Sequence, residues 1–290
     1  MKEIIVLSGK GGTGKTSVSA TFPTLYEGSV MADCDVDAAD LHLLLSPKVD
    51  REHDFISGHE AVINQEKCIS CGKCFKVCKF DAITVTGREY KVEEISCEGC
   101  KVCVELCPVD AIDFPDSHCG EWYESTTEYG PMVHADLKPG AENSGKLVSL
   151  VRKEAKVKAE EIGADWIIVD GPPGIGCPVI SSVTGANALL MVTEPTLSGK
   201  HDIERVLKLA NHFNVEAFVV INKWDISSKI SEEIEVAAKE HSAKVVGRIS
   251  YSPLFTQAQR EGVPLTKFAP ESSLAEEISQ MWKRLLEELS

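Results

Sequence analysis

The stretch SGKGGTGKTS, residues 8–17, has residue types and spacing suited to binding phosphate. Gly9 to Thr16 fill the frame G-x-x-x-x-G-K-T, between an apolar run, EIIVL, and the start of a helical stretch. Gly9, Gly11, Gly12 and Gly14 let backbone N–H groups converge on phosphate oxygens, and a helix N-terminus adds its positive dipole end. Lys15 is placed to reach the β- and γ-phosphates of a nucleotide and the Thr16 hydroxyl to hold Mg²⁺; Lys10, Thr13 and Ser17 complete the candidate site. Lys10 is surplus, because an ordinary phosphate loop needs only the second lysine.

Cysteines make the second constellation. CISCGKCFKVCKFDAI (68–83) and CEGCKVCVELCPVDAI (97–112) repeat the spacing C-x₂-C-x₂-C-x₃-C and close on the same Asp-Ala-Ile. This is the two-cluster bacterial ferredoxin spacing, in which three closely spaced thiolates bind one cluster and the other repeat supplies the fourth. It predicts one [4Fe–4S] cluster on Cys68, Cys71, Cys74 and Cys107, and another on Cys97, Cys100, Cys103 and Cys78. Zinc, the alternative, is usually held by two separated C-x-x-C hooks. Pro108 follows the last cysteine of the second repeat, whereas Lys79 stands at the matching place in the first. Two neighbouring clusters point to transfer of single electrons or their delivery to a third site, with a purely structural role as the alternative.

These residues need elements to position them. DWIIVDGPPG (165–174), ALLMVTEPT (188–196) and EAFVVINKWD (216–225) are short apolar runs closed by polar or Gly/Pro residues, as is the run ending in MADCD. Buried parallel strands read this way. Helical stretches at 200–211 and 230–242 lie between or after them, which predicts an α/β fold with a parallel sheet. The cysteine zone interrupts that pattern. We expect a P-loop domain formed by residues 1–62 and 116–290, with a small α+β ferredoxin-like domain inserted at 63–115.

The chain has 290 residues, 43% hydrophobic and 26% charged, with a net charge of −15. The acidic balance disfavours sequence-independent nucleic-acid binding, which depends on neutralising phosphates. No secretory signal and no membrane-length apolar run is visible, so the cysteines are expected in a reducing cytoplasm as metal thiolates. The last segment, SLAEEISQMWKRLLEELS, spaces Leu274, Ile278, Met281, Trp282 and Leu285 as a helix with a mainly acidic polar face, better suited to packing on the core than to an anionic membrane.

The loop K-G-G-x-G-K-T resembles the deviant Walker A motif of the MinD/ParA/nitrogenase-iron-protein family, a SIMIBI-type group of P-loop ATPases. That resemblance implies a nucleotide-sandwich dimer in which Lys10 contacts phosphates bound by the other subunit. DCDVD (33–37) resembles the family's switch I, which would make Asp35 the residue orienting the attacking water and place Asp33 near the metal. Asp37 and Asp40 leave the assignment open by a residue, and helix capping is the plainer role for such aspartates. IIVDGPPG (167–174) resembles Walker B and switch II, with Asp170 on a Mg²⁺-bound water and Gly171 and Gly174 letting the loop move.

For the base, INKWD (221–225) matches the guanine signature N-K-x-D superficially, whereas the resemblance makes Asn222 an adenine reader. Lys223, and backbone around Pro253 in RISYSPLFTQAQREGVPL (248–265), would flank the base. ATP is favoured, and Asp225 keeps GTP open. Among the cysteines outside the repeats, Cys34 is expected to pack as a small hydrophobe. Cys177 lies seven residues after Asp170, the offset of the nitrogenase iron protein's bridging-cluster ligand, and Cys119 could supply a second thiolate. A cluster or other metal shared across a dimer, or two ordinary thiols, are the readings.

The combination resembles MinD-type ATPases with an inserted ferredoxin domain. It implies an ATP- and Mg²⁺-dependent dimeric switch coupled to iron–sulfur electron transfer or metallocluster handling. Alternatives are a cluster carrier or maturation ATPase, and a regulatory switch with a redox sensor. Implied partners are a second copy or a sister ATPase, and a redox or cluster-receiving protein, with neither nucleic acid nor membrane insertion.

Overall fold

A computed structural model describes every residue except Glu142. The apolar runs become strands buried on both faces: Lys2–Leu7, Ser29–Asp33, Trp166–Asp170, Ala188–Thr193 and Glu216–Asn222 are almost wholly enclosed. They pair in parallel, with Ile4 beside Ile168 on one side and Ala188 on the other, and Val169 beside Ala32. Across the sheet the order is Lys244–Ile249, Glu216–Asn222, Ala188–Thr193, Lys2–Leu7, Trp166–Asp170, Ser29–Asp33, Gly130–Leu137, Asp116–Thr127 and Lys48–His59. Strand ends of Lys2–Leu7, Trp166–Asp170 and Ser29–Asp33 are adjacent, so the phosphate loop, Asp170 and Asp33 emerge side by side.

Helices Ser144–Ile162, Leu197–His212, Ser228–Glu240 and Ser273–Leu289 are amphipathic and bury their apolar faces. The last packs Leu274, Ile278, Met281, Trp282 and Leu285 into the main core, as its spacing predicts. Among the described residues no helix is long and apolar enough to cross a membrane.

The chain divides into two compact units, Met1–Glu52 with Trp122–Asp136 and Ser144–Ser290, and His53–Glu121 with Leu137–Asn143. The second is larger than the expected 63–115. Its added residues belong largely to Lys48–His59 and Asp116–Thr127, long strands whose mostly polar sequences lack the apolar signature of the central ones. Within this unit, Val62–Ile63 pairs antiparallel with Ile112–Asp113, and Ile83–Thr86 with Glu89–Val92. Five buried aliphatic residues, Ala61, Ile63, Ile83, Val92 and Ile112, form its small core, and six of the eight repeat cysteines pack against them.

Candidate functional site

The phosphate loop runs from strand Lys2–Leu7 into the short helix Lys15–Ser19. Gly14 has φ +92°, and a Cβ there would stand 2.5 Å from the Asn222 amide nitrogen, so both conformation and space require glycine. That amide donates to the Thr13 carbonyl at 2.7 Å, while its oxygen accepts the Lys223 N–H at 3.0 Å. Asn222, 3% exposed, thus braces the loop from the adjoining strand end; its amide is engaged with backbone rather than extended toward a base. Asp225 likewise accepts the Tyr251 N–H at 2.7 Å, tying the loop that leads to Pro253. Ser17 accepts from the Gln259 amide at 2.9 Å.

Beneath the loop, Lys15 pairs with two carboxylates and lies within the electrostatic reach of a third, Asp33. Its ammonium is 2.9 Å from Asp170 and 3.3 Å from Asp35. Asp170, fully buried, also accepts from Thr16 and Ser19 hydroxyls, each at 2.7 Å. Asp33 accepts the Asp35 and Leu41 N–H groups, both at 3.1 Å. Burial alone would lower the Lys15 pKa, but Asp170, Asp35 and Asp33 outweigh it and raise it. Burial, reinforced by the charge of Asp170, lifts Asp33 to about 7 against the opposing pull of Lys15. Burial also raises Asp35 despite Lys15. Asp37 and Asp40 are exposed; of the aspartates in this stretch the structure brings Asp35 into contact with the lysine, and Asp33 acts on it through its charge.

Two carboxylates on one ammonium, with Asp33 acting on it through its charge, leave room for more positive charge. Among the described residues no three His, Cys, Asp or Glu side chains converge on one metal point. The hard oxygen donors Thr16, Asp33 and Asp170 nevertheless fit Mg²⁺, which is commonly held by one or two carboxylates, waters and substrate phosphates. Lys10 points elsewhere. Its ammonium lies 2.7 Å from Glu194 and donates to the Ser198 hydroxyl at 3.2 Å. Glu194 pairs as well with Lys223 at 3.1 Å, and the two lysines hold its carboxyl below the usual range although burial pushes the other way.

In the second unit the cysteines sort into the expected quartets. Cys68, Cys71, Cys74 and Cys107 line one small chamber with Ile63, Tyr90 and Ile112. Cys78, Cys97, Cys100 and Cys103 line another with Ile83, Val92 and Phe114. Each chamber therefore takes three thiols from one repeat and one from the other, and its walls are chiefly apolar. Eight thiols in two apolar cradles fit a pair of [4Fe–4S] groups, and the Ala111 N–H already donates to the Cys107 sulfur at 3.2 Å.

The outlying cysteines separate. Cys34 is fully buried, as expected for a small hydrophobe. Cys177 is exposed at the first turn of the helix Cys177–Val183. Cys119 is 5% exposed and its thiol donates to the Ser57 carbonyl at 3.0 Å, so it is not presented as a surface ligand that a shared cluster would need. Sequence reasoning missed Glu194, Ser198, Ser19 and Gln259. Glu194 alone carried a signal, an acidic residue directly after a buried strand in VTEPT.

Residues 61–114 match the model of the 4Fe-4S dicluster domain. The whole chain superposes on the cell division ATPase MinD of Pyrococcus furiosus with a TM-score of 0.61 at 19% identity, covering 100% of this chain and 99% of that one. MinD of Pyrococcus horikoshii, solved with Mg-ADP, gives a TM-score of 0.60 at 19% identity, covering 100% and 98%. McdA of Cyanothece gives 0.57 at 16%, covering 98% and 99%. The fold is that of the MinD/ParA P-loop ATPases, carrying a 4Fe-4S dicluster domain.

Closer in sequence are two proteins of Methanocaldococcus jannaschii. MJ0578 is 39% identical over 224 residues, 76% of this chain and 78% of that one, and MJ0579 is 30% identical over 234 residues, 78% and 82%. The chain belongs to one family with these two proteins.

Proposed function

We propose that this chain binds and hydrolyses ATP as a dimeric switch, and that nucleotide state is coupled to two [4Fe–4S] clusters serving electron transfer or cluster handling. The observation that carries the proposal is the convergence of Lys15, Asp33, Asp35 and Asp170 beneath a two-lysine phosphate loop, on a chain whose second unit gathers two cysteine quartets. The solved Mg-ADP complex of a MinD with this fold supports the nucleotide, as does a more distant Methanocaldococcus relative, MJ0547, described as ATP-binding, 25% identical over 136 residues.

In this account the loop N–H groups and Lys15 hold the phosphates, and Lys15 exchanges its carboxylates for them. Thr16, Asp33 and Asp170 would hold Mg²⁺, which neutralises phosphate charge. Asp35, 3.3 Å from Lys15, becomes free as the lysine turns to phosphate and orients the attacking water. Lys10 adds a cation from the second subunit. Asn222 fixes the loop through Thr13, and Lys223 and the backbone near Pro253 border the base. Cys68, Cys71, Cys74 and Cys107 would hold one cluster and Cys78, Cys97, Cys100 and Cys103 the other.

The test is ATP turnover of Lys10→Ala beside the parent protein, with nucleotide affinity measured separately. Binding should persist while turnover falls to background. Full turnover in the variant would refute the dimeric mechanism.

A further inference from the structure

Lys10 has a partner within its own chain, although its proposed action lies in another. We propose that Glu194 is a positioning residue for Lys10: it holds the ammonium in cis until a nucleotide-bound second copy offers phosphate in its place. This inference rests on the sandwich-dimer reading above.

Three observations carry it. The Glu194 carboxylate is 14% exposed and divides its oxygens, one 2.7 Å from Lys10 and one 3.1 Å from Lys223. Lys223 is anchored in turn, donating to the Gly12 carbonyl at 3.3 Å. Glu194 sits on firm backbone: its carbonyl accepts the Thr196 N–H at 2.8 Å, and Thr196 caps the helix Leu197–His212 by accepting the Gly199 N–H at 3.0 Å. Further along that helix, Asp202 packs so closely on Gly9 that a Cβ there would collide with it. Residues 194–202 therefore touch the phosphate loop at Lys10, through both Glu194 and Ser198, and again at Gly9.

This arrangement makes the exchange inexpensive. When Lys10 leaves, Lys223 remains on Glu194, so no carboxylate is stranded without a cation, the situation that makes breaking a buried pair costly. What must be overcome is one partly exposed ion pair and a hydroxyl contact, an interaction worth about a two- to fivefold shift in an equilibrium. The latch thus sets a threshold without blocking the dimer.

Two readouts test it on the intact, cluster-loaded chain. In the nucleotide-free protein, a short pulse of an acetylating reagent followed by mass spectrometry reports how available the Lys10 amine is. Glu194→Gln should raise Lys10 labelling about two- to fivefold, and Ser198→Ala should raise it less. Unchanged Lys10 labelling in Glu194→Gln, with thermal unfolding like the parent, overturns the proposal. Sedimentation with a non-hydrolysable ATP analogue supplies the second readout, where Glu194→Gln should tighten association about two- to fivefold and Lys10→Ala should abolish that gain. Raised labelling with no nucleotide-dependent association in any protein would uphold the cis contact and refute the sandwich dimer instead.

Discussion

Paired cysteine substitutions separate crossed from uncrossed cluster ligation. In the structure Cys107 joins Cys68, Cys71 and Cys74, and Cys78 joins Cys97, Cys100 and Cys103. Cys68→Ser with Cys107→Ser therefore takes two thiols from one chamber and none from the other. Cys68→Ser with Cys78→Ser takes one from each. Two intact clusters carry about eight iron atoms per chain, so the first pair should leave about four and the second should damage both sites, falling toward zero. Uncrossed ligation reverses the outcomes, because Cys68 and Cys78 would then share a site. Iron and acid-labile sulfide are measured on anaerobically purified protein, with spectra of the reduced state showing whether one magnetic centre or two remain. About four iron atoms in the Cys68/Cys78 pair, with near-complete loss in the Cys68/Cys107 pair, would refute the assignment.

Other outcomes follow from packing and charge. Trp282 is fully buried, stands edge-on to Phe22 with ring centroids 4.8 Å apart, and donates to Thr21 at 2.9 Å; Trp282→Ala should cost about 3–5 kcal/mol in urea unfolding, with Trp282→Phe milder. His134, stacked on Tyr123 and hydrogen-bonded to Ser125 at 2.9 Å, is lowered to about 4 by burial and then by His42, against Asp136. Because the unfolded chain binds its proton first, this contribution is complete above about pH 6.5 and is lost as pH falls toward 4. After allowance for partial exposure it amounts to about 1–2 kcal/mol, and His134→Gln should flatten the pH dependence of stability in that window.

The sequence was most legible where one local pattern dictates one structure. Uninterrupted apolar runs such as ALLMVT had to be enclosed on both faces, and the loop frame between strand and helix left little freedom. The cysteine spacing predicts a crossed arrangement, and the two chambers gather the cysteines in that grouping. Lys48–His59 was missed because KVDREHDF offers charged residues where a strand signature would need apolar ones; among its residues only Phe55 and Ser57 are buried. That strand also explains why the second unit extends past the expected boundary. Glu194 was missed for a different reason. Its role depends on Lys10, 184 positions away, and no local spacing encodes such a pair. Asn222 is expected from the sequence to read a base, yet its amide serves the loop at Thr13, a contact visible only once two strand ends are set side by side.

The central claim is coupling between nucleotide and clusters. It is tested most directly by redox titration of both clusters in the intact protein, with and without a non-hydrolysable ATP analogue and Mg²⁺, in the parent and in Lys10→Ala. The account predicts that nucleotide shifts at least one cluster potential in the parent and leaves Lys10→Ala unmoved. Identical potentials in the parent with and without nucleotide, in a protein that binds both nucleotide and iron in full, would contradict it.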